Sequence, residues 1–323
     1  YIAALILKSI LCLLLCTIVV ISFGKVFGEE NNVVGVVTVI SLLNFRFSNL
    51  DFKVRQAALT IVGIFGVLSI SPYIASISNP FLGFIINFIS IIGILILTCH
   101  NVRLCNHSIL VLSYFLLYGY KVENTEILIN RIIGLIFGGI LVASIFYIKQ
   151  RKIEFKNTFI DIINDVDFNT ERTKWQLKFA FVTTSAIMIG EFLHIPRAMW
   201  IGIACMSVFH PDKSQLQIRY KQRMLYMVLG CLMYMSIYFL IPQQFRGLIG
   251  LIGGVMIGFS GTYKWQTVFN AFGALSAATP ILGFGGAIIF RILNNVFGAL
   301  YSKGFDYIIN FIDNKEFANV NEA

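Results

Sequence analysis

Twelve apolar runs limit what this chain can fold into. They fall at roughly 1–22, 33–45, 57–77, 81–98, 108–119 and 128–147, and again at 176–193, 198–209, 224–241, 245–261, 266–280 and 286–302. About 20 apolar residues cross a bilayer as a helix, which satisfies its own backbone polar groups without water. Composition argues against a single aqueous core: 57% of residues are hydrophobic and 13% charged, against about 45–50% and about 25% in soluble domains. The expectation is therefore an all-α integral membrane protein with twelve transmembrane helices. The second and fifth runs of each set are short for a full span, so a re-entrant or neighbour-supported segment is the alternative there. The first run carries only Lys8 and lacks an Ala-x-Ala cleavage pattern, and reads as a retained helix rather than a signal peptide.

The charges between the runs set the topology. With the amino terminus in the cytoplasm, seventeen Lys and Arg fall in inside loops and four (Lys25, Lys121, Arg197 and Arg246) outside. That bias is the positive-inside pattern, and it places both termini in the cytoplasm of a multi-pass plasma-membrane protein. It also accounts for the formal charge of +9 without a nucleic-acid partner. The three tryptophans, Trp175, Trp200 and Trp265, stand at segment ends, where indole rings anchor at headgroup level.

The two sets of runs align on each other. At an offset of 166, Gly24 meets Gly190, Ser41 meets Ser207, Lys53 meets Arg219 and Gln56 meets Gln222; at 164, Phe81 and Gly83 meet Phe245 and Gly247. At 160, Arg131-Ile132 and Phe137-Gly138 meet Arg291-Ile292 and Phe297-Gly298. Six crossings return the chain to its starting side, so the repeats are expected to be parallel, related by a pseudo-twofold axis along the membrane normal. The expected organisation is a first six-helix repeat at 1–147, a cytoplasmic linker at 148–174, a second repeat at 175–302 and a cytoplasmic tail at 303–323. Phe159, Ile162, Ile163 and Val166 in the linker, and Phe305, Ile308, Ile309 and Ile312 in the tail, have the spacing of short interfacial helices, with solvated connectors as the alternative.

Few residues suggest chemistry. Cys99-His100 and Cys105-x-His107 share one loop but match no standard zinc spacing, so no metal and no cofactor are expected. No Gly-x-Ser-x-Gly, phosphate-cradling loop or paired intramembrane carboxylates occur, so an enzyme is not expected either. The least expected residues are Arg131 and Arg291, one to two turns inside the sixth run of each half. A charge at that depth costs ~2.5–3.5 kcal/mol in lipid and should face protein or water. They are the candidate anion-binding pair, facing each other across the axis; the competing reading is that they snorkel or bond helix-end carbonyls. Lys178, Arg223 and Lys264 are candidates for a cytoplasmic entrance that gathers anions.

In the second half, Pro196-Arg197-Ala198-Met199-Trp200, then His210-Pro211-Asp212, then Arg223 with Gly230 seven residues on, resembles the membrane module of the fusaric acid resistance and aromatic acid exporter family, distantly similar to plant aluminium-activated malate channels. In the first half Ala57 and Ile64 stand where the second has Arg223 and Gly230. Members of that family often carry sizeable cytoplasmic domains after each six-helix unit, and the 148–174 linker is too short for one. The resemblance implies efflux of small organic anions, aromatic carboxylates foremost. The alternatives are a passive organic-anion channel and a non-transporting scaffold or accessory subunit of an envelope complex. The partners expected are membrane lipid, the transported anion, and a second copy or an envelope protein.

Overall fold

The computed structural model describes residues 2–104 and 106–321, so Cys105 of the Cys-x-His pair lies outside it. Among the described residues there are helices and no strands. The first half supplies α1 (Ile2–Phe27), α2 (Asn32–Phe45), α3 (Val54–Ile77), α4 (Pro80–Thr98), α5 (His107–Gly119) and α6 (Thr125–Gln150). The linker forms the short α7 (Phe159–Asn164). The second half supplies α8 (Glu171–Phe192), α9 (Met199–Val208), α10 (Lys213–Leu240), α11 (Leu248–Phe259) and α12 (Tyr263–Asn321). α12 is broken at Gly283, whose φ of 71° and ψ of 164° are non-helical and suit a residue without a Cβ. Its two arms contain the last two apolar runs, and the second arm continues as helix through the expected tail to Asn321.

Among the described residues, six helices are long and apolar enough to cross a membrane, and α5, α9 and α11 are shorter apolar helices. The chain is a membrane protein. Several helix starts follow from local chemistry: Asn79 and Asn124 accept backbone N–H groups of Leu82 and Ile127 at 2.9 Å, and Pro80 opens α4 where its missing N–H costs nothing. Thr158 and Asp161 form a reciprocal capping box on α7.

The chain divides into two compact units, one spanning Ile10–Met188 and the other holding the residues from Ile189 on with the start of α1. The division falls inside α8 rather than in the linker. In the first unit α6 packs on α2 and α3, and α3 on α4 and α5. The close approach of α6 rests on glycine: a Cβ at Gly138 would overlap the Thr38 hydroxyl, and one at Gly139 would lie 2.6 Å from Phe65 Cβ. The loops at one end are locked by Asn106, which is fully buried. Its amide donates to Asn49 O at 2.9 Å and Thr98 O at 3.0 Å, and its oxygen accepts from Ser48 at 2.6 Å and Asn44 at 3.1 Å. In the other unit α12 packs on α9, α10 and α11. There a Cβ at Gly298 would lie 2.7 Å from Ala204 Cβ, and one at Gly230 would lie 2.6 Å from Val268 O.

The tryptophans depart from the anchor expectation. Only Trp265 is exposed; Trp175 is buried against His107 and Phe179, with ring centroids 5.1 and 5.3 Å away, and Trp200 is buried in the second unit. A ring at a segment end can face protein as well as headgroups, and hydropathy does not distinguish the two.

Candidate functional site

α10 begins eleven residues before its apolar run because Asp212 caps it, accepting the Ser214 N–H at 2.8 Å and the Ser214 hydroxyl at 2.7 Å. Arg219, Lys221 and Arg223 are thereby carried on a helix instead of in a loop. Arg223 is 3% exposed. The expected exposed entrance charge is thus a buried one. Its Nε and Nη2 both donate to Asn295 Oδ1, at 3.0 and 2.6 Å. Asn295 in turn donates through Nδ2 to the carbonyl of Arg291, one turn earlier on α12, at 2.6 Å.

Arg291 itself is 1% exposed, and its guanidinium carbon lies 4.9 Å from the centre of the Trp200 ring on α9, a cation–π arrangement. The neighbouring Asn294 donates to the carbonyls of Pro196 and Arg197 at 2.9 and 3.1 Å, which fastens α12 to the turn before α9. Three helices of one unit therefore enclose two guanidinium groups, with one amide joining the Arg223 guanidinium to the main-chain carbonyl of Arg291. Among the described residues no carboxylate pairs with Arg223, and the ion pairs present lie elsewhere, on Asp165 and Glu171. A neutral amide relieves only part of the cost of burying a cation, which leaves a positive potential that an anion would complement.

Arg131, 4% exposed, is used differently. Its Nε donates to Asn31 Oδ1 at 2.9 Å, Nη1 to the carbonyl of Tyr120 at the end of α5, and Nη2 to Glu30 O at 3.4 Å. Asn31 completes the knot by donating to Phe27 O at 2.8 Å and Ile127 O at 3.1 Å. Arg131 thus braces α6 against the turn before α2 and the end of α5. Lys178 is half-buried on α8, and Lys264 is exposed at the start of α12 with its ammonium 5.8 Å from the Tyr226 ring. The two arginines expected to face each other, Arg131 and Arg291, belong to different compact units.

What sequence reading missed is the amides. Asn295 and Asn31 orient the arginines, and the signal was present: an Asn-Asn pair inside an apolar run, one turn beyond Arg291, has no place in lipid unless it meets a partner.

Residues 185–302 match the family model described as fusaric acid resistance protein-like. The match contains the whole Arg223–Asn295–Arg291 cluster and supports the family membership that the Pro196–Trp200 and Arg223–Gly230 motifs suggested. No curated protein and no solved structure matches the chain. The fusaric-acid-resistance-like segment begins inside α8 and ends within the second arm of α12, so it covers α9, α10 and α11 in full. The first half lies outside it and is linked to it only through the internal alignment.

Proposed function

We propose that the protein transports small organic carboxylates, aromatic ones foremost, outward across the plasma membrane. The family match supports a membrane transporter with an efflux role. The observation that carries the substrate class is the buried Arg223, held by a neutral amide next to Arg291 within the matched segment. A guanidinium is a planar fork suited to a carboxylate, and burial strengthens that attraction. An inside-negative potential drives an anion outward at ~2.3 kcal/mol per charge per 100 mV, so export needs no nucleotide site. The larger share of anion attraction is assigned to Arg223, a buried guanidinium whose Nε and Nη2 share one neutral amide oxygen, with Arg291 beside it. Arg131 opposing Arg291 across a pseudo-twofold axis of twelve spans is the second part of the proposal.

Proteoliposomes loaded with a panel of aliphatic and aromatic carboxylates, with and without an imposed potential, test it. Carboxylate flux that rises with the potential is expected, and Arg291→Gln should lower it strongly while the protein still inserts. The Arg131→Gln/Arg291→Gln pair separates the two parts: abolition by Arg291→Gln alone places the site in the second half, and a further loss on adding Arg131→Gln supports the opposed pair. Normal flux in the double variant would remove both.

A further inference from the structure

We propose that α3 carries a site for one anionic diacyl phospholipid, with its two tails on either side of Leu59 and its phosphate at Arg55. A recess of about 800 Å³ lies between α3 and α4 beneath α7. Its α3 wall is Gln56, Thr60, Gly63, Ile64, Val67 and Ser71, positions that share one stripe of the helix. From Gln56 to Ser71 that stripe is about 22 Å long at a rise of about 1.5 Å per residue. One leaflet's hydrocarbon is about 15 Å deep, half of the ~30 Å core, so the recess is a trough of acyl-chain length.

Glycine keeps the trough open: Gly63 and Gly93 both line it, and a Cβ at either would meet nothing within 4 Å. Its polar groups are largely spent on the protein. The Thr60 hydroxyl donates to Gln56 O at 3.0 Å, and Gln56 Oε1 accepts the Phe159 N–H at 2.8 Å. That last bond, with the Lys53 N–H donating to Asn157 O at 2.9 Å, ties the start of α7 over the trough. What remains is a wall suited to hydrocarbon.

A second recess, about 410 Å³, lies between α3 and α6, with Arg55 and Tyr147 among its lining residues, together with Val62 and Ile140. Leu59 lines both recesses and is 73% exposed, so it forms the ridge between them. α3 and α4 are candidate spans, and exposed side chains such as Ile70 and Ile89 on them face lipid rather than water. Two hydrocarbon troughs divided by one side chain match two tails. Arg55, in the first turn of α3 and without an ion pair among the described residues, supplies the charge complementary to a phosphate. A free fatty acid would occupy only one of the recesses.

Native mass spectrometry of protein released from nanodiscs holding equal phosphatidylglycerol and phosphatidylcholine tests this. Wild type is expected to retain one phosphatidylglycerol. Gly63→Leu/Gly93→Leu fills the trough and should lose it, whereas Gly66→Leu, at a glycine equally free of neighbours but lining neither recess, should not. Arg55→Gln, an exposed change that leaves the fold intact, should reduce the preference for the anionic lipid about fivefold. Retention by a folded, trough-filled variant, recovery of free fatty acid alone, or an unchanged preference in Arg55→Gln would each overturn the proposal.

Discussion

The first half of the chain contains the control experiment for the Arg223–Asn295 pair. Under the offsets of 166 and 160, Arg223 and Asn295 correspond to Ala57 and Leu135, both fully buried on helices that pack together. Replacing Asn295 with Leu removes the oxygen that accepts both Nε and Nη2 of Arg223. Hydrogen bonds to a charged group are worth about 1.5–3 kcal/mol, and because both share one acceptor the loss is taken as about 3 kcal/mol, with the guanidinium left buried and unpaired. Adding Arg223→Ala removes the stranded charge and recreates the apolar pair of the first half. The double variant should therefore recover most of that loss, with a coupling of at least about 1.5 kcal/mol. Equilibrium unfolding in mixed micelles of increasing SDS content, on wild type, both single variants and the double variant, gives the cycle. Carboxylate flux measured on the same four proteins should not recover with stability, because the charge is gone. Single effects that add within about 0.5 kcal/mol would refute the reasoning, since the two side chains would then not depend on each other.

Two further outcomes follow from the linker and the loops. Burial, and then the Arg172 guanidinium 3.1 Å away, pull the His100 imidazole below its usual 6.5, so folding favours its neutral form. Above pH 6.5 both states are neutral and the contact contributes fully; as pH falls below 6.5 the unfolded chain takes the proton first, and stability declines until the folded pKa is passed. Thermal unfolding followed from pH 7.5 to 5.5 should show that decline, and Arg172→Gln should reduce it; an equal slope in the variant would exclude Arg172 as a cause. For topology, single cysteines at Arg55 and Lys121 are expected to label from the cytoplasmic and outer sides respectively, and labelling of both from one side would overturn the charge-based orientation.

Hydropathy located the apolar cores of the helices, because each apolar run is a stretch of chain that water would not tolerate. α2 was expected at 33–45 and is Asn32–Phe45; α4 was expected at 81–98 and is Pro80–Thr98. It failed at α10, where the capped polar turns from Lys213 have no apolar signature and the helix still forms. The fate of Arg223 followed from that error, since a residue assigned to a loop is assigned to water. Trp175 and Trp200 show the same limit from the other side: position along a helix was legible, but the face of the helix was not. Arg131 and Arg291 were found as charges out of place, yet what their guanidinium groups meet, Asn31 and Trp200, lies far away in sequence.

Comparison of the halves separates packing from chemistry. Thr38 corresponds to Ala204 at the offset of 166 and Gly138 to Gly298 at 160, and in each unit that pair makes the close approach between corresponding helices, α2 with α6 and α9 with α12. Two independently matched positions meet in both units, the contact that the proposed duplication of a six-helix unit would place there. The arginines of the sixth runs are both buried but make different contacts: Arg131 donates hydrogen bonds to the turn before α2, and Arg291 stacks on Trp200 near the start of α9. The glycine contacts hold helices together. Arg223 and Asn295 differ in kind, because the first half lacks both at once, and the charge and its acceptor are present or absent as a set. A pair needed only for packing could have stayed apolar in both halves, since Ala57 and Leu135 fill the same places at no electrostatic cost. The burden of the buried Arg223, which has no counterpart in the first half, points to a role beyond packing, and makes the second half, rather than a symmetric axis, the place to look first for the proposed anion.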